Sequence, residues 1–223
     1  MSDAFICFDA RQRYTCIQTY LEKEIELRSE FYQYDNNQPD KVLHRLGVGY
    51  GFSSIFFAEI YFVGEKEQDG TLTLDAYELE AKWQLAEQGE YLFDWAFLFE
   101  FEDKKNTDVF ELATTLVSSV DVGRWTGIAN LSLIYEWSED IQNEFETALS
   151  VQWRYRYKRE IEAGLEFYLA QDTKAIGPIL MGTYNLGGRK KLFWDLAAIY
   201  GLESGHSSLT PDLTIKGSLE FEF

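Results

Sequence analysis

The sequence predicts an all-β fold, a transmembrane antiparallel up-and-down β-barrel of about twelve strands. Three observations predict it. Apolar residues recur at every second position through most of the chain. The alternating segments are close to the ~9–11 residues that a tilted strand needs to cross a bilayer. Short and long polar spacers alternate between the segments, and an even strand number is what a single-chain bacterial barrel requires.

The predicted strands follow one another from residue 20 to the end of the chain. Clear alternation of an apolar face with a polar face occupies 24–32, 75–85, 93–101, 125–137, 145–155, 161–169, 191–202 and 213–223. Weaker segments, with glycine or apolar residues on both faces, occupy 42–52, 55–63, 109–120 and 177–186. Residues 1–19 do not fit this pattern. We therefore predict a barrel domain over 20–223, preceded by a periplasmic extension or a short plug.

The spacers between the predicted strands differ in length at the two ends of the barrel. Short turns fall at 52–54, 121–124, 157–159 and 187–189, and longer polar spacers at 35–41, 65–73, 103–108, 138–143, 170–176 and 203–212. Short periplasmic turns opposite longer outer loops are typical of bacterial barrels. The connection around 86–90 fits this alternation less well.

The composition excludes several classes of protein. There are 38 acidic and 20 basic side chains, a formal net charge of −18, which excludes binding to nucleic acid through phosphate neutralisation. Aromatic residues make up 17% of the chain, enough apolar surface to exclude disorder. Mean hydropathy is −0.28, as in a soluble acidic protein. A soluble β-sandwich would show the same alternation, but the large aromatic faces and the absence of Greek-key irregularity favour a barrel.

Tryptophan positions agree with this topology. Indole rings favour the membrane interface, and most tryptophans here fall on apolar faces close to a predicted turn or loop. We predict an aromatic girdle, weighted towards the short turns, that comprises Trp83, Trp125, Trp137, Trp153 and Trp194.

The last strand is the most specific motif in the chain. Leu219, Phe221 and Phe223 alternate with polar residues, and the sequence stops on Phe223. This segment resembles the final strand of Gram-negative outer-membrane β-barrel proteins. The resemblance implies that these three residues form the assembly signal read by the barrel assembly machinery. It also implies that the chain lies in the bacterial outer membrane among lipids and lipopolysaccharide. The N-terminus lacks the pattern of a secretory signal, so that signal is expected to be absent from this chain.

The resemblance extends to small porin-like or transporter-like barrels without indicating one member. Size and strand count are similar to those of small monomeric channels for acidic oligosaccharides. Those channels line their pores with arginine, and this chain does not. The predicted pore-lining residues are instead mostly acidic: Glu24, Glu26, Arg28, Glu30, Arg45, Glu59, Glu78, Glu80, Lys82, Asp94, Glu100, Glu136, Glu146, Arg154, Glu166, Asp195, Lys216 and Glu220.

Carboxylates along a narrow water path favour cations and repel anions. The sequence therefore predicts a porin-like channel for passive passage of small cationic or neutral solutes. Two alternatives stay open. Paired charges would give a closed structural barrel. A lipid-modifying hydrolase would use His44 or His206, but neither histidine has a third group placed to orient it, so we predict no enzyme.

Cofactor and metal chemistry have little support in the sequence. No His/Cys cluster stands at ligand spacing, so we predict neither a metal centre nor a cofactor. Cys7 and Cys16 form a bridge only if the compartment is oxidising. The transported solute, the open or plugged state of the lumen and the oligomeric state do not follow from the sequence.

Overall fold

The computed structural model describes residues 21–34, 39–67, 70–87, 89–105, 107–139, 143–171, 173–202 and 210–223. Twelve strands are assigned: β1 (Lys23–Gln33), β2 (Lys41–Gly51), β3 (Phe56–Glu67), β4 (Thr73–Gln84), β5 (Asp94–Lys104), β6 (Val109–Val122), β7 (Trp125–Trp137), β8 (Glu144–Lys158), β9 (Ile161–Ala170), β10 (Lys174–Gly187), β11 (Lys190–Gly201) and β12 (Leu213–Glu222). Each corresponds to one predicted segment. No helix within the described ranges is long and apolar enough to cross a membrane.

The strands close in chain order into one antiparallel barrel, with β12 beside β1. At this seam Ile25 lies opposite Phe221 and Leu27 opposite Leu219. The backbones of Lys23 and Phe223 exchange two hydrogen bonds, of 3.3 and 2.9 Å. Closure leaves no free sheet edge, which is the condition for a sheet to lie in hydrocarbon. The predicted fold class is confirmed.

The barrel exposes apolar side chains and buries charged ones, the reverse of the arrangement in a soluble protein. In β1, Ile25 and Leu27 are 45% and 46% exposed, whereas Glu26 and Arg28 are 1% and 3% exposed. The same alternation recurs over 78–80 of β4 and 99–102 of β5, where Leu79, Phe99 and Phe101 are exposed and the glutamates beside them are buried. The apolar side chains therefore form the outer surface of the barrel, and the charged side chains line its interior.

Apolar side chains also enter the interior, from clearly alternating strands as well as from strands whose two faces were hard to separate in sequence. One cluster joins Leu98 to Val117 and Ile128, from β5, β6 and β7. Another includes Ile179 and Ile199, from β10 and β11. The interior is thus not uniformly polar.

The connections distinguish the two ends of the barrel. At the end called here the short-turn end, β2–β3, β6–β7, β8–β9 and β10–β11 are joined through 52–55, 123–124, 159–160 and 188–189. The β4–β5 connection, 85–93, is the long exception at this end. The opposite, long-loop end carries the other six connections, of which 171–173 is the tightest. The predicted extension or plug over 1–19, with Cys7 and Cys16, lies outside the described residues.

Candidate functional site

The predicted pore-lining side chains lie on the inward face of the barrel. All are buried except Lys82, Asp94, Glu146 and Asp195, which are half-buried. Asp94 lies at the short-turn end, where its Oδ1 accepts a hydrogen bond of 2.7 Å from the backbone amide of Gly89. Asp94 therefore contacts a turn, whereas the carboxylates further along the strands lie near one another and near a few cations.

Arg28 is the centre of one interior contact group. Its Nη2 lies 2.8 Å from Glu26 Oε2, and its Nη1 lies 3.7 Å from Glu80 Oε1. Its Nη2 also donates a hydrogen bond of 2.6 Å to Tyr61 Oη, which in turn donates to Glu26 Oε2 at 2.7 Å. These contacts join β1 to β3 and β4 across the glycines of β2. A buried arginine is stabilised only by such charged and hydrogen-bonded partners.

Arg45 on β2 holds a second group nearer the long-loop end. Its Nη1 lies 3.4 Å from Glu30 Oε2 and its Nε lies 3.3 Å from Glu78 Oε2. Tyr32 donates a short hydrogen bond to the same carboxylate of Glu30. The group therefore joins β1, β2 and β4 by charge pairs in addition to the backbone ladder.

Lys216 forms a third group on the other side of the lumen. Its Nζ lies 2.8 Å from Glu166 Oε2 and donates a hydrogen bond of 2.5 Å to Tyr168 Oη. Gln152 Nε2 donates to Glu166 Oε1 at 2.7 Å. Because β12 and β9 are separated in the wall by β11 and β10, this pair spans part of the interior rather than neighbouring strands.

A row of facing glutamates crosses five adjacent strands, β4 to β8. Successive partners in the register are Glu78, Glu102, Glu111, Glu136 and Glu144. We call this row the acidic ladder. Like charges directly opposite one another destabilise a sheet. Lys104 offsets part of this repulsion, since its Nζ lies 3.8 Å from Glu102, 3.8 Å from Glu111 and 3.2 Å from Glu136.

A cavity of about 420 Å³, called here the vestibule, lies at the short-turn end of the lumen. Glutamates of β1, β3 and β12 line one side of it. The other side carries Arg154 and Arg156, which share Glu162 at 2.9 and 3.1 Å. Lys191 contacts Glu222 at 2.6 Å near the rim. The vestibule is therefore divided into an acidic side and a charge-paired side.

Sequence reasoning missed two interior cations and several neutral partners. Lys104 and Arg156 contact interior carboxylates, and Tyr61 and Gln152 hydrogen-bond to them. Continuing the period-two pattern of residues 93–101 by three positions would have placed Lys104 on the inward face. No local signal would have shown which carboxylates it contacts.

Comparison with known proteins shows the fold of the chain but does not show its family. No protein-family model matches the chain, and no curated protein matches it. Among solved structures, the COG4313 outer membrane channel from Pseudomonas putida F1 has a TM-score of 0.61 at 11% identity, over 92% of this chain and 97% of that one. The chain has the fold of Gram-negative outer-membrane β-barrels.

Two further outer-membrane barrels agree in fold and size. The KdgM porin in complex with disordered oligogalacturonate has a TM-score of 0.57 at 11% identity, over 90% of this chain and 98% of that one. The NanC porin has a TM-score of 0.56 at 10% identity, over 89% of this chain and 98% of that one. At such identities the likeness concerns the fold alone.

The tryptophans of the barrel lie near both ends of its wall. Trp83, Trp125 and Trp153 are exposed near the short-turn end, and the rings of Trp125 and Trp153 stack at 5.9 Å. Trp137, at the long-loop end, stacks on Phe110 at 5.8 Å. Trp194 is half-buried on β11. Their role as a membrane girdle stays a prediction.

The terminal strand of the barrel contributes to the outer surface. Leu219 and Phe223 are exposed, and the ring of Phe221 stacks on that of Phe223 at 5.4 Å. Recognition of these residues by the assembly machinery stays a prediction.

A serine–histidine pair lies on the outer face, where a lipid hydrolase would need one. Ser29 Oγ lies 2.9 Å from His44 Nδ1, across the β1–β2 register. Among the described residues, no carboxylate hydrogen-bonds His44. Both strands are paired on both sides, so their backbone amides hold the sheet together rather than form an oxyanion hole. His206 lies outside the described residues.

We expect this pair not to hydrolyse lipid. Fatty-acid release from phospholipid vesicles should be the same with the purified barrel, with its Ser29→Ala and His44→Ala variants, and without protein. The physical reason is that a nucleophile needs an oriented base and a site that stabilises the oxyanion. Release by the unmodified barrel that His44→Ala abolishes would contradict this expectation, and release abolished by His206→Ala would assign the activity to the other histidine.

Proposed function

We propose that this protein is an outer-membrane channel for the passive passage of small cationic or neutral solutes. The observation that carries the proposal is the acidic ladder, five glutamates that face one another on adjacent strands of a porin-like barrel. Lys104 contacts three of them and Arg45 contacts a fourth, so five carboxylates meet two cations and negative charge predominates along this part of the lumen. An acidic lining concentrates cations and repels anions.

The charge of the lumen also bears on the class of solute. The solved KdgM porin is described with oligogalacturonate, a chain of carboxylates. An anionic chain of that kind would meet the acidic ladder of this protein and be repelled. We therefore propose that the solutes are cations and neutral molecules instead of acidic oligosaccharides. We also propose that the path is narrow, since Arg28, Arg45 and Lys216 are buried among their partners in the interior of the barrel.

The surroundings of the channel follow from the same proposal. The exposed apolar face would contact outer-membrane lipids and lipopolysaccharide, and β12 would be the strand bound by the barrel assembly machinery. The short turns would then face the periplasm and the longer loops the outside. Nucleic acid is not proposed as a partner.

Reversal potentials in planar bilayers test the channel. With purified full-length chain in a KCl gradient, we expect cation selectivity. The triple variant Glu102→Gln, Glu111→Gln, Glu136→Gln should move the reversal potential towards zero by about half or more, because it removes most of the fixed charge of the acidic ladder. The glutamines keep the side-chain shape, so the size of the path is preserved.

Two exposed glutamates in the 85–93 connection supply the matched control. Glu87→Gln together with Glu90→Gln removes charge outside the lumen and should leave the reversal potential unchanged at high salt. Anion selectivity of the unmodified barrel would overturn the proposed selectivity. Equal shifts in the two variants would assign the selectivity to surface charge.

A closed structural barrel is the second candidate, and the burial of the interior charges favours it. Glu26, Arg28 and Glu166 are 1%, 3% and 0% exposed, so their charges are enclosed by protein. Absence of any current from correctly folded protein would support this candidate. Heat-modifiable migration on a gel supplies the check of folding, because a folded barrel migrates differently before and after boiling.

A further inference from the structure

Three carboxylates converge on the acidic side of the vestibule. Glu26 and Glu220 lie directly opposite each other in the β1–β12 register, and Glu24 lies two positions from Glu26 on the same face. One oxygen of each lies within 4.8 Å of the others. All three side chains are buried. Like charges held this closely require a compensating cation, a proton or both.

A fourth carboxylate points to a ligand independently of this cluster. Glu59, on β3, is 6% exposed, and its Oε1 is buried and has no hydrogen-bond partner among the described residues. The ring of Tyr61 and this oxygen both lie over β2 at Gly47, where an added Cβ would be 2.4 Å from Tyr61 Cε1 and 2.9 Å from Glu59 Oε1. Gly47 is the register partner of Glu26. The glycine therefore leaves space over β2 for the Tyr61 ring and the Glu59 carboxylate, beside the strand that carries Glu26. Glu59 lines the same cavity as Glu24, Glu26 and Glu220.

The charge around this space suits a divalent cation. Four glutamates and two cations, Arg28 and Lys82, line this part of the vestibule, so negative charges exceed positive ones by two. The Nη2 of Arg28 is 2.8 Å from Glu26, and the Nζ of Lys82 lies 5.7 Å over the ring of Phe57. The available ligand atoms are all oxygens, which hard cations prefer. Ca²⁺ tolerates the irregular carboxylate sets that Mg²⁺ does not.

We propose that Glu24, Glu26, Glu59 and Glu220 form a Ca²⁺ site in the vestibule. The site links β12, β1 and β3 around the barrel seam. The proposal does not depend on conduction, since a closed barrel would bind the ion as well as an open one.

Calcium binding by the full-length chain, refolded in detergent without lipopolysaccharide, tests the proposal. Titration calorimetry should give one strong Ca²⁺ site, and Glu59→Gln and Glu220→Gln should each weaken it by at least about tenfold, because carboxylate count sets Ca²⁺ affinity. Glu146→Gln, an inward glutamate outside the cluster, is the matched control and should bind as the unmodified chain does.

Terbium luminescence gives a readout local to the site. Tb³⁺ replaces Ca²⁺ at oxygen sites, and Tyr61 donates a hydrogen bond of 2.7 Å to Glu26, close enough to sensitise the bound ion. Ca²⁺ should displace this emission, and Glu59→Gln should reduce it. Tyr61→Phe should reduce the emission while calorimetric Ca²⁺ binding persists.

Thermal unfolding separates loss of the site from loss of the fold. Without Ca²⁺, Glu59→Gln should unfold at a higher temperature than the unmodified chain, because a like charge has been removed. With Ca²⁺, the unmodified chain should gain stability and the variant should not. Ca²⁺ affinity that is unchanged in both Glu59→Gln and Glu220→Gln, or absent from the folded unmodified chain, overturns the proposal.

Discussion

Replacing Arg28 with methionine is expected to lower the free energy of unfolding by about 3–5 kcal/mol. The substitution keeps an unbranched side chain in the lumen but removes a guanidinium that contacts Glu26, Glu80 and Tyr61. The two carboxylates would then remain in a buried interior without the cation that lies between them. A buried charge without a partner destabilises the fold by far more than an intact ion pair stabilises it.

Denaturant unfolding of the refolded barrel in detergent measures this effect. Arg124→Met, in the exposed β6–β7 turn, removes the same charge from the surface and should change the unfolding free energy by less than about 0.5 kcal/mol. Adding Glu80→Gln to Arg28→Met should recover part of the loss, since one of the abandoned charges is neutralised. Equal stability of the two methionine variants would show that Arg28 has no such role.

Replacing Gly177 with alanine should prevent correct pairing of β10 with β11. A Cβ at this position would lie 2.0 Å from the carbonyl oxygen of Ala198 and 2.7 Å from the Cα of Ile199. Both atoms belong to the backbone of β11, so no rotation of a side chain relieves the clash. Overpacking costs about 1–3 kcal/mol, and more in the cases where it forces a large displacement, which is a large part of the stability of a domain this size.

The folded fraction on an unboiled gel reports the result. Gly177→Ala should refold poorly or not at all, whereas Gly64→Ala should refold as the unmodified chain does. At Gly64 the nearest atom to an added Cβ is a methyl of Leu72 at 3.2 Å, at the end of a side chain that can move. Normal refolding of Gly177→Ala would mean that β10 and β11 are further apart than described.

The positions of the strands and the assignment of their faces could be predicted from the sequence. In β1, the alternation of Ile25 and Leu27 with Glu24, Glu26 and Arg28 already separates outside from inside. The separation is visible locally because consecutive side chains of a strand point to opposite faces, one in contact with lipid and the other with the lumen. Strand number and closure then follow from the same pattern repeated along the chain.

The face assignment cannot be made from the sequence in strands that are apolar on both faces. In β6, Val109 and Val117 face the lumen although their neighbours on the outer face are also apolar or small. Alternation carries no information when both faces are apolar, so the inward residues of β6 could not be assigned from the sequence. The departure of the connection around 86–90 from the other short spacers was visible in the sequence, and the structure has a long connection there, 85–93.

By itself the sequence determined a barrel whose strands carry glutamates on their buried faces, because this property depends on the residue type at each position of a single strand. Only the tertiary structure decided which charges meet. Lys104 lies among Glu102, Glu111 and Glu136, and the Glu59 carboxylate lies over Gly47, the register partner of Glu26. These contacts depend on the stagger between strands that are far apart in the chain. That stagger is fixed by closing all twelve strands into one barrel, a condition that no single segment contains.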